Sequence, residues 1–396
     1  MQAEREDSAI ELIVPKVYKG EGVFNRVELF RYEKSRDEKD TTYFVSTGSG
    51  TASKVEPDPD EFQLDRIVGL YTGELDKEPG VDILAAGDRR AFILAADGKV
   101  KKEIDYKLGR YSDGSFMQNQ NFPFIQIADL DKDDSPEIAG HGAYACEIKD
   151  LSGKTVWKYP GKKGEEKYSG IDALRIGDID NDGENEVLVG KTNTLEAFDK
   201  KGNLKWRIKN SGYGLLDLEV TDLDGDGKNE ILAGESIYDG KGELIEKMKT
   251  RRSIQGLLTQ KNELPTMLFF DKDELSLFRS GKLIKKLEAP QNYKPRKKEE
   301  IDPKTVNFGV STYGGTALYL TAGPDRQKFL VVLADSTDNG GYEAFKTLYI
   351  YDSRDKLIYH ETVRAFYGEI AVLPNNDGTE SLLVTDDGKL LKYSLN

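Results

Sequence analysis

The chain has 396 residues and a formal net charge of −14, with 32% charged and 37% apolar residues. The length exceeds a usual single core and points to two domains or one repeat array, and the acidic balance excludes a nucleic-acid binder, which needs a clustered basic surface. No apolar run approaches roughly 18 residues, so nothing spans a membrane; one cysteine, Cys146, excludes an internal disulfide framework, and two histidines are too few for a histidine zinc site.

Residues 1–61 read as an N-terminal segment ahead of a repeat array over 62–396. The segment leads from Met1 directly into the polar Glu4-Arg5-Glu6-Asp7, with no visible export signal. It holds two spare strand-like stretches, 11–17 and 27–33. The first unit starts near Arg66 and carries Glu74, Asp76, Glu78, Pro79, Gly80 and Asp82, then a hairpin turn at 96–100. The second starts near Phe124, with acids at Asp129, Asp131, Asp133, Asp134 and Glu137, a strand around Cys146 and a turn at 151–155. The third, from Ala173, repeats this with Asp178, Asp180, Asp182, Gly183 and Glu186 and a turn at 200–204. The fourth, from Leu216, has Asp222, Asp224, Asp226, Gly227 and Glu230 and a turn at 239–243. Units five and six start near Gly256 and Thr316 with turns at 279–283 and 352–356, separated by a long polar connection over 288–315. A smaller insertion lies at 335–345. The seventh starts near Glu369, continues through 381–385 and 390–394, and has no fourth strand.

The acidic clusters recur after 49 residues (129 to 178) and 44 residues (178 to 222). Such a period marks a propeller or solenoid, and turn residues flanked by alternating apolar positions mark hairpins. The expectation is an all-β, seven-bladed β-propeller of four-stranded antiparallel blades, with eight blades as the alternative. An open ring would expose a sheet edge, so the missing strand of the last blade must come from the N-terminal segment.

The chemistry of the acidic clusters lies in their spacing. Carboxylates at positions 1, 3 and 5 of a tight loop converge on one point, and glycine at position 6 permits the turn. A main-chain carbonyl at 7 and an acid at 9 complete an oxygen shell of the kind Ca²⁺ prefers over Mg²⁺. Three loops fit: Asp129, Asp131, Asp133, Ser135 and Glu137; Asp178, Asp180, Asp182, Glu184 and Glu186; and Asp222, Asp224, Asp226, Lys228 and Glu230. A fourth, Glu74, Asp76, Glu78, Gly80 and Asp82, has acids at every ligand position but Pro79 in place of the turn glycine. In the first of the three, Asp134 replaces that glycine and must take a left-handed conformation, which aspartate tolerates. Position 12, the closing acid of a helix-flanked calcium loop, is Gly140, Val189 or Ala233, so that reading fails. Units five to seven lack the ligand set; unit seven keeps Asn375, Asp377 and Gly378.

This tandem β–loop–β pattern resembles the integrin α-subunit type of propeller repeat, called FG-GAP or VCBS, from about residue 62 to the end and most strongly over 120–250. The resemblance implies Ca²⁺ at three sites, with a fourth candidate, in a chiefly structural role. Exposed loops of this type bind weakly, with dissociation constants of roughly 10⁻⁴ to 10⁻³ M in extracellular modules, and would stay empty in a low-calcium cytoplasm. The expected location is therefore extracytoplasmic (secreted, periplasmic or cell surface), with an export signal already removed.

The loops entering the inner strands carry Tyr213, Tyr313 and Tyr367, each followed by glycine, and Tyr168, followed by Ser169-Gly170, with Arg110 and His141 expected on the same face. Such a partial tyrosine ring offers flat amphipathic contacts for a ligand, and blade capping is the competing use. No nucleophile elbow, phosphate loop or HExxH motif is present. The expected function is a binding, adhesion or assembly-docking module for a protein or glycan partner at the cell surface or envelope. A polysaccharide-lyase-like enzyme or a sugar-binding lectin is the alternative.

Overall fold

In the computed structural model the described residues are 24–32, 43–46, 52–55, 67–105, 124–159, 171–209, 218–247, 254–290, 316–335, 345–364 and 369–395, apart from 77, 88–89, 142–144, 192, 235, 261–262, 272–273 and 387. Their regular structure is all β. Of thirty strands, twenty-eight form seven four-stranded antiparallel sheets, and Tyr43–Ser46 pairs with Ala52–Val55 in a small separate hairpin. Blades 1 to 6 take their strands in sequence order from 67–105, 124–159, 171–209, 218–247, 254–288 and 316–364. Blade 7 combines 370–395 with the N-terminal strand Phe24–Arg31.

Strand sequences follow position in the blade. The second strands are sandwiched between neighbouring blades, so Asp82–Gly87 and Glu186–Lys191 are buried at every residue. Burial on both faces selects a continuous apolar run over alternation. Outer strands meet solvent, and Leu204–Lys209 and Leu244–Lys247 are largely exposed.

Seven buried clusters hold the ring, one for each pair of adjacent blades. Leu130, Ile148 and Trp157 of blade 2 pack with Ile176, Val187 and Phe198 of blade 3. Ile179 and Leu188 of blade 3 pack with Ile231 and Tyr238 of blade 4. The ring closes where Leu373, Leu383 and Leu390 of blade 7 meet Ile67, Ile83 and Leu94 of blade 1. Side chains also stitch blade to blade near the centre: Thr72 Oγ1 donates to the Val372 carbonyl at 2.8 Å, and the Gln126 side chain accepts from Ile176 N–H at 2.8 Å.

Phe24–Arg31 fills the place of the missing fourth strand. It pairs antiparallel with Lys389–Leu395, from Phe24 opposite Leu395 to Arg31 opposite Lys389. Phe24 is buried between blades, with ring centroids 6.0 Å from Phe329 and 5.9 Å from Tyr359. At the other end Tyr32 packs on Phe92 of blade 1 at 5.1 Å. Of the two expected closing strands, the second supplies this pairing, shifted three residues toward the N-terminus at its start; the first, 11–17, lies outside the described residues.

The direction of the strands fixes two ends. Loops between first and second strands, which hold the acidic clusters, share one end with the hairpins between third and fourth strands. Turns between second and third strands, and the connections between blades, leave from the other.

Candidate metal centres

Each acidic loop is first a backbone device. The carboxylate at position 1 accepts main-chain N–H groups across the turn: Asp129 from Lys132 at 2.6 Å and Asp134 at 3.0 Å, Asp178 from Gly183 at 3.0 Å, and Asp222 from Gly225 at 2.6 Å and Gly227 at 2.9 Å. The carboxylate at position 9 reaches back to the N–H at position 2: Glu137 to Leu130 at 2.6 Å, Glu186 to Ile179 at 3.1 Å and Glu230 to Leu223 at 2.7 Å. Positions 4 and 6 are both left-handed, as Lys132 and Asp134, Asn181 and Gly183, and Gly225 and Gly227. Asp134 thus adopts the conformation expected of it, with φ at 69°.

These turns gather carboxylates. Oxygens of Asp129, Asp131 and Glu137, of Asp178, Asp180 and Glu186, and of Asp222, Asp224 and Asp226 lie within 4.8 Å of one another in each group. Asp133 and Asp182 are outside these groups and accept from the N–H groups of Ser135 and Glu184, each at 2.8 Å. Adjacent loops are linked: Asn185 donates to the Asp129 carbonyl at 2.6 Å, and Asn229 to the Asp178 carbonyl at 2.8 Å.

Burial and crowding raise the closing acids. Burial, with the charges of Asp131, Asp129 and Asp133, pushes the Glu137 carboxyl up to about 7. Burial also raises Glu186 and Glu230. Asp178 Oδ1 is buried with no hydrogen-bond partner among the described residues. A crowded, all-oxygen donor set with an orphaned carboxylate oxygen suits a hard cation, which would relieve both the repulsion and the lost hydration. These three groups could hold metal ions.

The fourth loop is different. Lys101 Nζ sits 2.7 Å from Asp76, 2.8 Å from Asp82 and 3.3 Å from Glu78, and those hydrogen bonds raise its pKa. In blade 3, Lys205 Nζ reaches Asp180 at 2.6 Å and Glu186 at 2.9 Å; burial disfavours its charge, but the two carboxylates outweigh that and raise its pKa. Both lysines occupy a β-bulge. In blades 1 to 6 the outer strand skips one residue in its pairing with the third strand, at Lys101, Val156, Lys205, Ile245, Ile284 and Ile358. A bulge re-aims its side chain. The signal was present as a lysine three residues after Gly98 and Gly202, where the other units have an apolar residue.

Of the residues expected on the opposite face, His141 is described and is buried, at 3% exposure, at the end of the second strand of blade 2. Arg110, Tyr168, Tyr213, Tyr313 and Tyr367 lie outside the described residues. Cys146 is a buried core residue. No helix among the described residues is long and apolar enough to cross a membrane.

No family model matches the chain, and no curated protein matches its sequence. Among solved structures it is similar to BBS1N, crystallised in complex with ARL6DN, at 13% identity over 84% of this chain and 93% of that one, with a TM-score of 0.51. The V. cholerae biofilm matrix protein Bap1 matches at 11% identity over 94% of this chain and 84% of that one, with a TM-score of 0.47. The Pan2 WD40 domain of Neurospora crassa matches at 10% identity over 81% and 87%, with a TM-score of 0.46. The likeness to BBS1N agrees with the strand topology: the chain is a β-propeller, and its own pairing makes it seven-bladed.

Proposed function

We propose that this chain is a calcium-stabilised propeller of the FG-GAP/VCBS kind that works outside the cytoplasm as a binding or docking module. The observation that carries the calcium reading is the repeated carboxylate group, within 4.8 Å in three successive blades, with the buried closing glutamate a member of the group in two of them. Asp129, Asp131 and Glu137, Asp178, Asp180 and Glu186, and Asp222, Asp224 and Asp226 would hold the ions. Their role is to fix the loops that link blades 2, 3 and 4 through Asn185 and Asn229. Binding, not catalysis, is the function we assign. A propeller of the same fold, BBS1N, was crystallised with a protein partner, which supports a protein as one class of ligand. Because the acidic loops fill one end of the ring, we assign the partner, a protein or a glycan, to the other.

The test pairs partner capture with melting. The triple variant Tyr168→Ser, Tyr213→Ser, Tyr313→Ser should lose partners bound by wild type from envelope extract or a glycan array, while melting close to it. Hot-spot aromatics cost about 2 kcal/mol or more each when removed. A variant that melts early yet keeps every wild-type partner would refute the binding-face reading and leave these tyrosines as blade caps.

A further inference from the structure

We propose that the bulge lysines Lys101 and Lys205 are built-in cations that divide the four acidic loops into those that need an external ion and those that carry their own. In blade 1 the Lys101 ammonium touches Asp76, Glu78 and Asp82, the acids at positions 3, 5 and 9. An ammonium has three N–H donors, and here three carboxylates receive them. That is the place a divalent cation would take, so the loop holds its shape with no metal.

In blade 3, Lys205 takes two acids, Asp180 and Glu186, both members of the carboxylate group of that blade. Asp178 is left with Oδ1 buried and without a hydrogen bond. A metal ion there must displace the lysine or share its acids with it. In blades 2 and 4 the bulge residues are Val156 and Ile245, 43% and 57% exposed, which bring no charge. Since all six bulges fall at the same step of the outer strand, what differs there is the side chain and not the strand backbone. Among the described residues, the ring therefore has one loop in blade 2 with no lysine on its grouped acids, one in blade 4 whose only such lysine is the exposed Lys228 on Asp226 at 3.2 Å, one contested loop in blade 3, and one in blade 1 bridged by its own lysine. The blade 3 part rests on the calcium reading above; the blade 1 part does not.

Calorimetric titration of the full chain with CaCl₂, after stripping with EDTA and dialysis, tests both parts. Wild type should show two stronger binding events and a weaker one that Asp180→Asn removes. Lys205→Val should strengthen the weak event about tenfold, roughly 1.4 kcal/mol, and leave the others within about twofold. In EDTA, Lys101→Gln should melt below wild type and recover with CaCl₂, while Lys101→Arg, which keeps the charge, should melt close to wild type. Three equal sites in wild type, or unchanged affinities in Lys205→Val, overturns the blade 3 assignment. Equal melting of Lys101→Gln and wild type in EDTA overturns the blade 1 assignment. If no variant binds calcium while Lys101→Gln still melts early, the calcium reading fails and the role of Lys101 stands.

Discussion

Phe24 is the residue on which ring closure turns. It lies at the start of the N-terminal strand, 7% exposed, packed edge-on against Phe329 and tilted against Tyr359 of blade 6, with Leu395 opposite it in the sheet. Truncating a buried phenylalanine to alanine costs about 3 to 5 kcal/mol, and the lower end applies here because an outer strand can partly close over the gap. Val27, on the same strand, is 49% exposed, so Val27→Ala should change stability by less than about 0.5 kcal/mol. The ion pair of Arg26 with Glu361 is half exposed on the arginine side and adds little. The assay is urea unfolding followed by fluorescence. Both tryptophans, Trp157 and Trp206, sit in blades 2 and 3, remote from the closure, so a shift in their transition reports the whole ring. Phe24→Ala should lower the midpoint clearly and Val27→Ala should not. Removing residues 1–32 should leave Lys389–Leu395 as an open edge and cause aggregation or loss of cooperativity. Equal midpoints for the two point variants, or a truncated chain that melts like wild type as a monomer, would refute closure by this strand.

A second test of closure uses two glycines of like conformation. Gly98 and Gly281 have φ of 87° and 69°, but a Cβ on Gly98 would come within 2.2 Å of the Leu29 carbonyl oxygen, whereas one on Gly281 meets open space. Gly281→Ala should therefore cost about 1–2 kcal/mol for the left-handed backbone alone, and Gly98→Ala distinctly more; equal thermal shifts would contradict the contact with the closing strand. Glu137 gives a pH prediction. Its folded pKa of about 7 exceeds the ordinary 4.5, so its contribution is complete at low pH and lost as pH rises through about 7. In EDTA the chain should lose up to about 3 kcal/mol from this group between pH 4.5 and 8, and Glu137→Gln should flatten that slope; a variant with the wild-type slope would contradict it. With calcium at a hundredfold over its dissociation constant, Asp224→Ala should forfeit about 2.7 kcal/mol of stabilisation, and Asp377→Ala only its local turn bonds to Thr379, which urea midpoints with and without calcium would separate.

Much of this was legible in the sequence because it rests on local pattern. The period of the acidic loops, their turn glycines and the short three-strand last unit led to seven blades and to a strand borrowed from the N-terminus. The grouped acids, at positions 1, 3 and 9 in blades 2 and 3 and at 1, 3 and 5 in blade 4, were legible for the same reason, since one tight turn brings them together. What was not legible depends on packing between strands distant in sequence. Lys101 shows in the sequence only as a lysine three residues after the turn glycine, and its reach to the acids of blade 1 follows from the bulged pairing of the strand, which that spacing alone does not state. His141 ends its strand at the expected end of the ring, away from the acidic loop, but that strand runs between two blades and buries it. The left-handed residues at position 4, among them Lys132 and Asn181, have no composition signal, since neither position demands glycine.

The most direct test of the central claim is a calorimetric melt of the whole chain in excess EDTA, in CaCl₂ and in MgCl₂. The carboxylate groups of blades 2, 3 and 4 predict a melting temperature several degrees higher in calcium than in EDTA, with magnesium restoring it poorly because it demands tighter octahedral geometry. Superimposable melts in calcium and EDTA would contradict it.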